Sequence, residues 1–242
     1  MAHEVTTIRE QQAALEETNR QKDAFILTLA HELRQPLAPM LVALELMQKR
    51  ISAQAGARAR EVLERQVRQL QRLTDDLIDA ARISQGRTEL KRELLDLRTI
   101  VQQVLAFAEH DFQSKPLRLQ QDLPSAPVWV YGDPVRLQQV FSNLVQNAVK
   151  FTDAGGLVGV TMRCERSVVI TSIQDTGRGI APDMLPRVFE MFVQSNDQTG
   201  GLGIGLAVVK RLVERHGGTV TAESAGRGLG TDFAVTLPIT SA

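Results

Sequence analysis

Four groups of residues in this chain have the types and spacing to do chemistry. The first is His31 beside Glu32, in the run Phe25-Ile-Leu-Thr-Leu-Ala-His31-Glu32-Leu-Arg-Gln35-Pro36-Leu. An imidazole offers a nucleophilic nitrogen near neutral pH, and a neighbouring carboxylate can orient it. In the second group, Asn143 and Asn147 are four apart and Lys150 three further on, so a helix carries all three on one face. Asparagine is a mediocre helix former. Its amide oxygen can complete a Mg²⁺ shell that keeps waters and takes phosphate oxygens, and a lysine alongside neutralises phosphate. The plain alternative is a solvated polar face.

The third group is Asp175-Thr-Gly177-Arg-Gly179-Ile180, and the fourth is Gly200-Gly201-Leu202-Gly203-Ile204-Gly205-Leu206. Glycines let backbone amides approach phosphates, and a helix starting near Ile204 would offer its N-terminus to them. No G-K-[ST] follows, so this is not a P-loop, and no strand leads into it, so it is not a dinucleotide fingerprint. Asp175, ending an apolar strand, is either a turn-former or an acceptor for the exocyclic amine of a base.

The elements that must position these groups follow from periodicity. Ile26, Leu29, Leu33, Leu37, Met40, Leu44 and Met47 recur every three or four residues, so they form one helical stripe with His31 on the opposite face. Pro36 removes one helical hydrogen bond within it. Heptads through Ile8, Leu15, Lys22 and Leu29 run into this helix; with Gln12, Asn19 and Lys22 at core positions they make a weak coiled coil or a plain solvated helix. Val62, Leu63, Val67, Leu70, Leu73, Leu77, Ile78 and Ala81 mark a second helix, and Ser52–Gly56 reads as the turn between the two. Such a hairpin is too thin to bury its own stripes. Two copies pairing into a four-helix bundle would bury them, so a homodimer is expected.

Beyond a hinge near Ser84–Arg87 the pattern becomes mixed. Asp96 can cap a helix over Leu97–Phe112, and Asp133-Pro134 starts another that runs to Phe151. Residues 117–120, 128–131, 157–163, 168–173, 219–223 and 231–237 read as strands. A helix over Ile204–His216 stops at Gly217-Gly218. The expected architecture is an α-helical hairpin followed by an α+β sandwich, one sheet covered on one face by helices. The segments are a signalling coil over 1–21, a hairpin domain over 22–84, a hinge over 85–88 and the sandwich over 89–242.

Composition narrows the function classes. Over 242 residues, Lys+Arg and Asp+Glu are both 28, so no basic face points to nucleic acid. A single cysteine, Cys164, excludes an internal disulfide framework. No apolar run approaches a membrane span and no signal peptide is recognisable, so a cytoplasmic chain is expected, either free or as part of a larger sensor. The remaining histidines, His3, His110 and His216, read as ordinary surface or core-rim residues.

In order and wording the chain resembles the sensor histidine kinases over roughly residues 20–238. Ala30-His31-Glu32-Leu33-Arg34-x-Pro36-Leu37 matches the H box, and Asn143-Leu-x-x-Asn147-Ala-x-Lys150-Phe-Thr the N box. The two glycine boxes are Asp175-x-Gly177-x-Gly179-Ile180 and Gly201-x-Gly203-x-Gly205-Leu206. Val188-Phe189-Glu190-x-Phe192 lies between them, and Gly228-x-Gly230-Thr231-x-Phe233 closes the set. The resemblance implies a dimerisation and phosphotransfer hairpin, then an ATP-binding domain of the GHKL (Bergerat) type shared with gyrase, mismatch-repair and chaperone ATPases. ATP would lie under a lid spanning about Met191 to Gly201.

The same resemblance implies residue roles. His31 would attack the γ-phosphate, and Glu32 would bond one ring nitrogen and fix the tautomer. Asp175 would hold the adenine amine, Asn147 would ligate Mg²⁺, and Asn143 and Lys150 would serve the phosphates. Gly177, Gly179, Ile180, Phe192, Gly201, Leu202, Gly203, Gly205, Leu206 and Thr231 would line the nucleotide pocket. The implied partners are a second copy of the chain, an upstream sensor domain and a response-regulator receiver domain, whose aspartate takes the phosphoryl group. Two positions depart from the family. Gln35 stands where Asn or Thr is usual at a site tied to partner dephosphorylation, so phosphatase activity is in question. Met191 replaces a common proline at the lid hinge. Competing readings are a kinase-inactive nucleotide-binding adaptor or phosphotransfer scaffold, and a clamp-type ATPase, which would have no use for the His31 hairpin.

Overall fold

The computed structural model describes residues 12, 26–27, 29–48, 52–84, 90–193 and 202–240. The chain divides into two compact units, residues 1–81 with 196–204 and residues 82–195 with 205–242. The heptad positions before residue 26, apart from Gln12, lie outside the described residues, as does most of the expected lid.

In the first unit, α1 (29–48) carries His31, and α2 (Ala53–Ser84) follows. The expected turn at 52–56 is shorter than the sequence suggested. Ser52 caps α2, its Oγ accepting from the Ala55 N–H at 3.3 Å, and residues 53–56 are already the first helical turn. That cap supplies an acceptor for an otherwise orphan donor, so the helix starts as soon as serine allows.

The buried face of α1 is not the whole apolar stripe. Glu32, Pro36 and Ala43 are buried, and Leu29, Leu33 and Met40 are half-buried. Ile26, Leu37, Leu44 and Met47 are exposed, as are Leu41 on α1 and Val67 and Ile78 on α2. Among the described hydrophobic residues of the two helices, only Ala43, Ala59 and Leu73 are fully buried. At about 1.5–3 kcal/mol per fully buried large side chain, that is a small core for two helices.

The second unit is built differently. A five-stranded sheet runs β2-β4-β5-β7-β6, from β2 (Arg118–Asp122), β4 (Leu157–Glu165), β5 (Val168–Asp175), β7 (Thr231–Pro238) and β6 (Thr219–Glu223). The β2–β4 pair is parallel and the others are antiparallel. Burial alternates along the central strands: Val158, Val160 and Met162 face inward on β4, Val169, Thr171, Ile173 and Asp175 on β5, and Phe233, Val235 and Leu237 on β7. α4 (Pro134–Phe151) and α5 (Gly205–Arg215) pack on the strands, and α3 (Leu97–Ser114) packs against α4, as the sandwich requires.

A further strand, β1 (Glu93–Asp96), pairs with β3 (Trp129–Gly132) in a separate two-stranded sheet. Sequence reading missed β1, because Glu-Leu-Leu-Asp shows no alternation over a useful length. Its function is local: it delivers Asp96 to the start of α3. The Asp96 carboxylate accepts from the N–H groups of Arg98 and Val128 at 3.1 and 3.0 Å and from Thr99 Oγ1 at 3.0 Å. Burial alone would raise this carboxyl. The bonds from Val128, Thr99 and Arg98, with the Arg98 guanidinium, outweigh it and hold Asp96 below its ordinary value.

A carboxylate held below its unfolded pKa adds stability that is fully present above about pH 4 and lost as pH falls through the folded value. Asp96→Ala is expected to cost about 1–3 kcal/mol at neutral pH, combining a lost cap with a stranded Val128 donor. Urea melts at pH 7 and pH 3 check this, and the gap between wild type and variant narrows at pH 3.

Candidate functional site

The site begins with the helical phase of α4. Asp133 caps it, its Oδ1 accepting from the N–H groups of Val135 and Arg136 at 3.1 Å each, and Pro134 occupies the first turn, where no donor is needed. Leu137, Val140, Phe141, Leu144, Val145 and Ala148 are buried. With that face committed, Asn143 and Asn147 are left half-buried and Lys150 exposed on the other side. The Lys150 ammonium lies 4.8 Å from the Phe151 ring centroid.

Two loops meet this helix. At its C-terminal end, the Phe151 carbonyl accepts from the Arg178 N–H at 3.1 Å. A side chain at Gly177 would bring a Cβ within 2.3 Å of that same carbonyl, which only glycine avoids. Toward the middle of α4, Asn143 Nδ2 donates to the Gly205 carbonyl at 3.4 Å, tying α4 to the start of α5. The polar face of α4 is thus met by the first glycine box at Arg178 and by Gly205, the last glycine of the second.

Asp175 closes β5 and is buried, 6 % exposed. Its Oδ1 accepts from the Gly177 N–H at 2.8 Å. Burial drives its pKa up, and the neighbouring Asp232 adds to this, against the opposing backbone bonds from Gly177 and Thr231. Thr231 lies opposite Asp175 in the β5–β7 register. Gly230 takes φ +74° and donates to the Gly177 carbonyl at 3.0 Å; a Cβ there would lie 2.0 Å from the Asp175 carbonyl oxygen. Gly228 donates to the Arg178 carbonyl at 2.6 Å. The Asp175–Ile180 segment is therefore stitched to the 226–231 loop by close backbone approach.

Ser224 is a further tie that sequence reasoning did not single out. Its Oγ accepts from the Ile180 N–H at 2.9 Å and donates to the Gly230 carbonyl at 2.7 Å. No local pattern marks it, because its partners lie 44 and 6 residues away.

Asn143, Asn147, Lys150, Asp175, Gly177, Gly179, Ile180, Gly205 and Thr231 thus belong to one connected framework of α4, β5, β7 and their loops. Leu206 is half-buried in the first turn of α5. Phe192 sits at φ +69°, a left-handed backbone rarely taken by an aromatic residue, just beyond the short 3₁₀ turn Leu185–Arg187. Leu202 is buried and Gly203 takes φ +65°. Gly201 lies outside the described residues. In the other unit, His31 and Gln35 are exposed on α1 while Glu32 is buried. Among the described residues no hydrogen bond joins Glu32 to His31.

A Mg²⁺ ion suits the donors of α4. Among the described residues no cluster of three or more His, Cys, Asp or Glu gathers that could form a cage. A half-buried amide beside an ammonium instead suits an ion that keeps its waters and is held mainly through phosphate oxygens.

Comparisons with known proteins agree with this arrangement. Residues 21–86 match the His Kinase A (phospho-acceptor) domain, and residues 132–241 the histidine kinase-, DNA gyrase B- and HSP90-like ATPase. The chain is similar to the sensor histidine kinase RppB of a Synechocystis species, 36% identical over 235 residues that cover 92% of this chain and 50% of that protein. Its fold is similar to the Acinetobacter baumannii histidine kinase AdeS, TM-score 0.64 at 27% identity, over 87% of this chain and 98% of that one. It is also similar to full-length ShkA in complex with AMPPNP, TM-score 0.67 at 30% identity, over 91% of this chain and 46% of that one. The chain belongs to the sensor histidine kinases of two-component systems. It spans about half the length of the RppB relative. Among the described residues no helix is long and apolar enough to cross a membrane.

A carboxyl raised above its unfolded pKa adds stability below about pH 4 and loses it as pH rises through the folded value. Ionised Asp175 is therefore a cost to the empty protein at neutral pH. Asp175→Asn is expected to raise the melting temperature of the empty protein by a few degrees at pH 7.5 and by less at pH 4, which thermal melts at the two pH values check.

Proposed function

We propose that this chain is the kinase core of a sensor protein, which phosphorylates His31 from Mg-ATP and passes the phosphoryl group to an aspartate of a response-regulator receiver domain. The observation that carries the reading is one chain holding an exposed histidine in a phospho-acceptor hairpin and a glycine-framed polar site in a GHKL-type sandwich. The transfer forms a bond from a ring nitrogen of His31 to the γ-phosphorus as the bond to the β-bridging oxygen breaks and ADP leaves.

The residues divide the work by chemistry. Asp175 accepts from the adenine amine: it is a buried carboxyl group framed by Gly177 and Gly230, where a hydrogen bond is strong. Desolvation makes that bond count, because an unmatched base would leave the carboxylate stranded. Asn143 and Lys150 meet the phosphates, and Asn147 holds Mg²⁺, which neutralises phosphate charge when bound. The pocket lining is that named above from the family resemblance. Phosphoryl transfer asks for alignment and charge neutralisation more than covalent help, which suits a site of amides, glycines and one ammonium. Glu32 fixes the imidazole tautomer, and for this its carboxylate must leave the inner face of α1.

Homodimerisation follows from the hairpin's unspent surface. Leu37, Leu41, Leu44 and Met47 remain exposed on α1, and a second copy is the partner that buries such a stripe in a four-helix bundle. An upstream sensor domain and a cytoplasmic setting complete the proposal.

Incubation with γ-labelled ATP and Mg²⁺ tests the reading. Wild-type protein is expected to take up label that is lost in acid and kept in base, as a phosphoramidate is, and His31→Gln to take up none. Acid-stable label, or label that persists in His31→Gln, refutes it.

Gln35 is exposed one turn after His31, where an incoming receiver would place its phospho-aspartate. A carboxamide can hold an attacking water in line, but glutamine is one methylene longer than asparagine, and displacement near one ångström can cost about a hundredfold. Weak receiver phosphatase activity is expected in wild type, with a gain in Gln35→Asn and unchanged autophosphorylation in both. Decay of a phosphorylated receiver with ADP present measures this.

A further inference from the structure

The proposed chemistry makes no use of His216, yet the structure gives this residue more specific partners than any surface or core-rim histidine needs. It is buried, 5 % exposed, immediately after α5. Its Nδ1 lies 2.7 Å from the Leu212 carbonyl, so this nitrogen carries the proton and donates. Its Nε2 is then an acceptor, and it takes the Asp133 N–H at 3.0 Å. Gly132 admits the ring: a Cβ there would lie 3.0 Å from His216 Cδ2 and 2.7 Å from Leu137 Cδ1.

Asp133 extends the chain of bonds in two directions. Its Oδ1 caps α4, and its Oδ2 accepts from the Lys91 N–H at 2.9 Å. Beside it the Arg92 guanidinium donates to the Arg215 carbonyl at the end of α5. The start of α4, the end of α5 and the segment at Lys91 and Arg92 therefore share one hydrogen-bonded knot. Those two helices carry Asn143, Asn147 and Lys150 on α4 and Gly205 and Leu206, the end of the second glycine box, on α5. A rotation of one against the other at this back end would move both sides of the site.

We propose that His216 is a positioning residue of the nucleotide site: as a neutral acceptor it holds the start of α4, the end of α5 and the Lys91 segment before β1 in one register. This rests on the kinase reading above. The neutral form is essential, because a protonated imidazole donates from both nitrogens and would set its Nε2–H against the Asp133 N–H, donor facing donor. The charged groups facing the ring are the Asp133 carboxylate, which favours protonation, and the Arg92 guanidinium, which opposes it; burial, the largest influence, also holds the ring neutral below its ordinary pKa. The device therefore operates at neutral pH and fails as pH falls below about 6.5 and through the folded value.

The test uses the full chain with His216→Phe, which keeps a ring but no acceptor, and His216→Gln, whose amide oxygen reaches the Nε2 position. Binding of a fluorescent ATP analogue with Mg²⁺, labelling at saturating ATP, and amide exchange at Lys91 are the readouts. The Phe variant is expected to bind about tenfold more weakly, as the loss of one buried hydrogen bond implies, with a raised KM, a retained kcat and faster Lys91 exchange. The Gln variant should stay close to wild type in all of these. A folded Phe variant that binds as tightly as wild type overturns the proposal, and so does a Gln variant as impaired as Phe.

If the Phe variant does not fold, the ratio of wild-type to Gln dissociation constants decides, since the titration of ATP cancels in it. The ratio should rise as pH is lowered from 7.5 through the protonation of His216 followed by NMR in the wild-type protein, and a ratio that stays flat across that protonation overturns the proposal. Wild-type protein that binds no nucleotide at any pH refutes the kinase reading instead. The Lys91 exchange contrast between wild type and the Gln variant across the same pH range then decides the role of His216 alone.

Discussion

The rotational phase of α4 is the constraint on which the rest of this structure depends. Burying Leu137, Val140, Phe141, Leu144 and Val145 sets that phase, at about 1.5–3 kcal/mol for each large side chain. A helix so pinned cannot roll, and its opposite face must show Asn143, Asn147 and Lys150 together. The polar face is thus a by-product of core packing, and no polar contact has to supply the energy that orients it. The caps at Asp133 and Thr152 then set where the helix begins and ends.

Around that helix the site is assembled by close backbone approach more than by side-chain contact. Gly177 against the Phe151 carbonyl and Gly230 against the Asp175 carbonyl leave no room for a Cβ. Such packing places backbone groups with little conformational freedom, which suits a ligand recognised by hydrogen bonds and charge. It also strands a carboxylate: Asp175 is buried with its pKa raised, a cost to the empty protein that a base-shaped donor would repay. The two units are built on opposite economies. The sandwich has a full core and one strained polar site, whereas the hairpin has a scant core and leaves much of its apolar stripe to another surface.

The sequence by itself determined most of the elements and the face each site residue occupies, because period, caps and glycine punctuation are local signals. Asp96 and Asp133 are caps as their positions require, the glycine pair ends α5, and strands from residue 117 onward fall close to their alternating runs. The exposure of His31 was legible for the same reason. Only the tertiary structure decided that Glu32, Pro36 and Ala43 are buried on α1 while Leu37 and Leu44 of its apolar stripe are exposed, because helical period marks an apolar face but not which flank of it meets a neighbour. Only it made a strand of residues 93–96, which have no pattern until β3 lies beside them. The largest difference is His216. In sequence it is an unremarkable histidine before two glycines. Folding sets it between α4 and α5, where its partner Asp133 is 83 residues away and no local rule reaches.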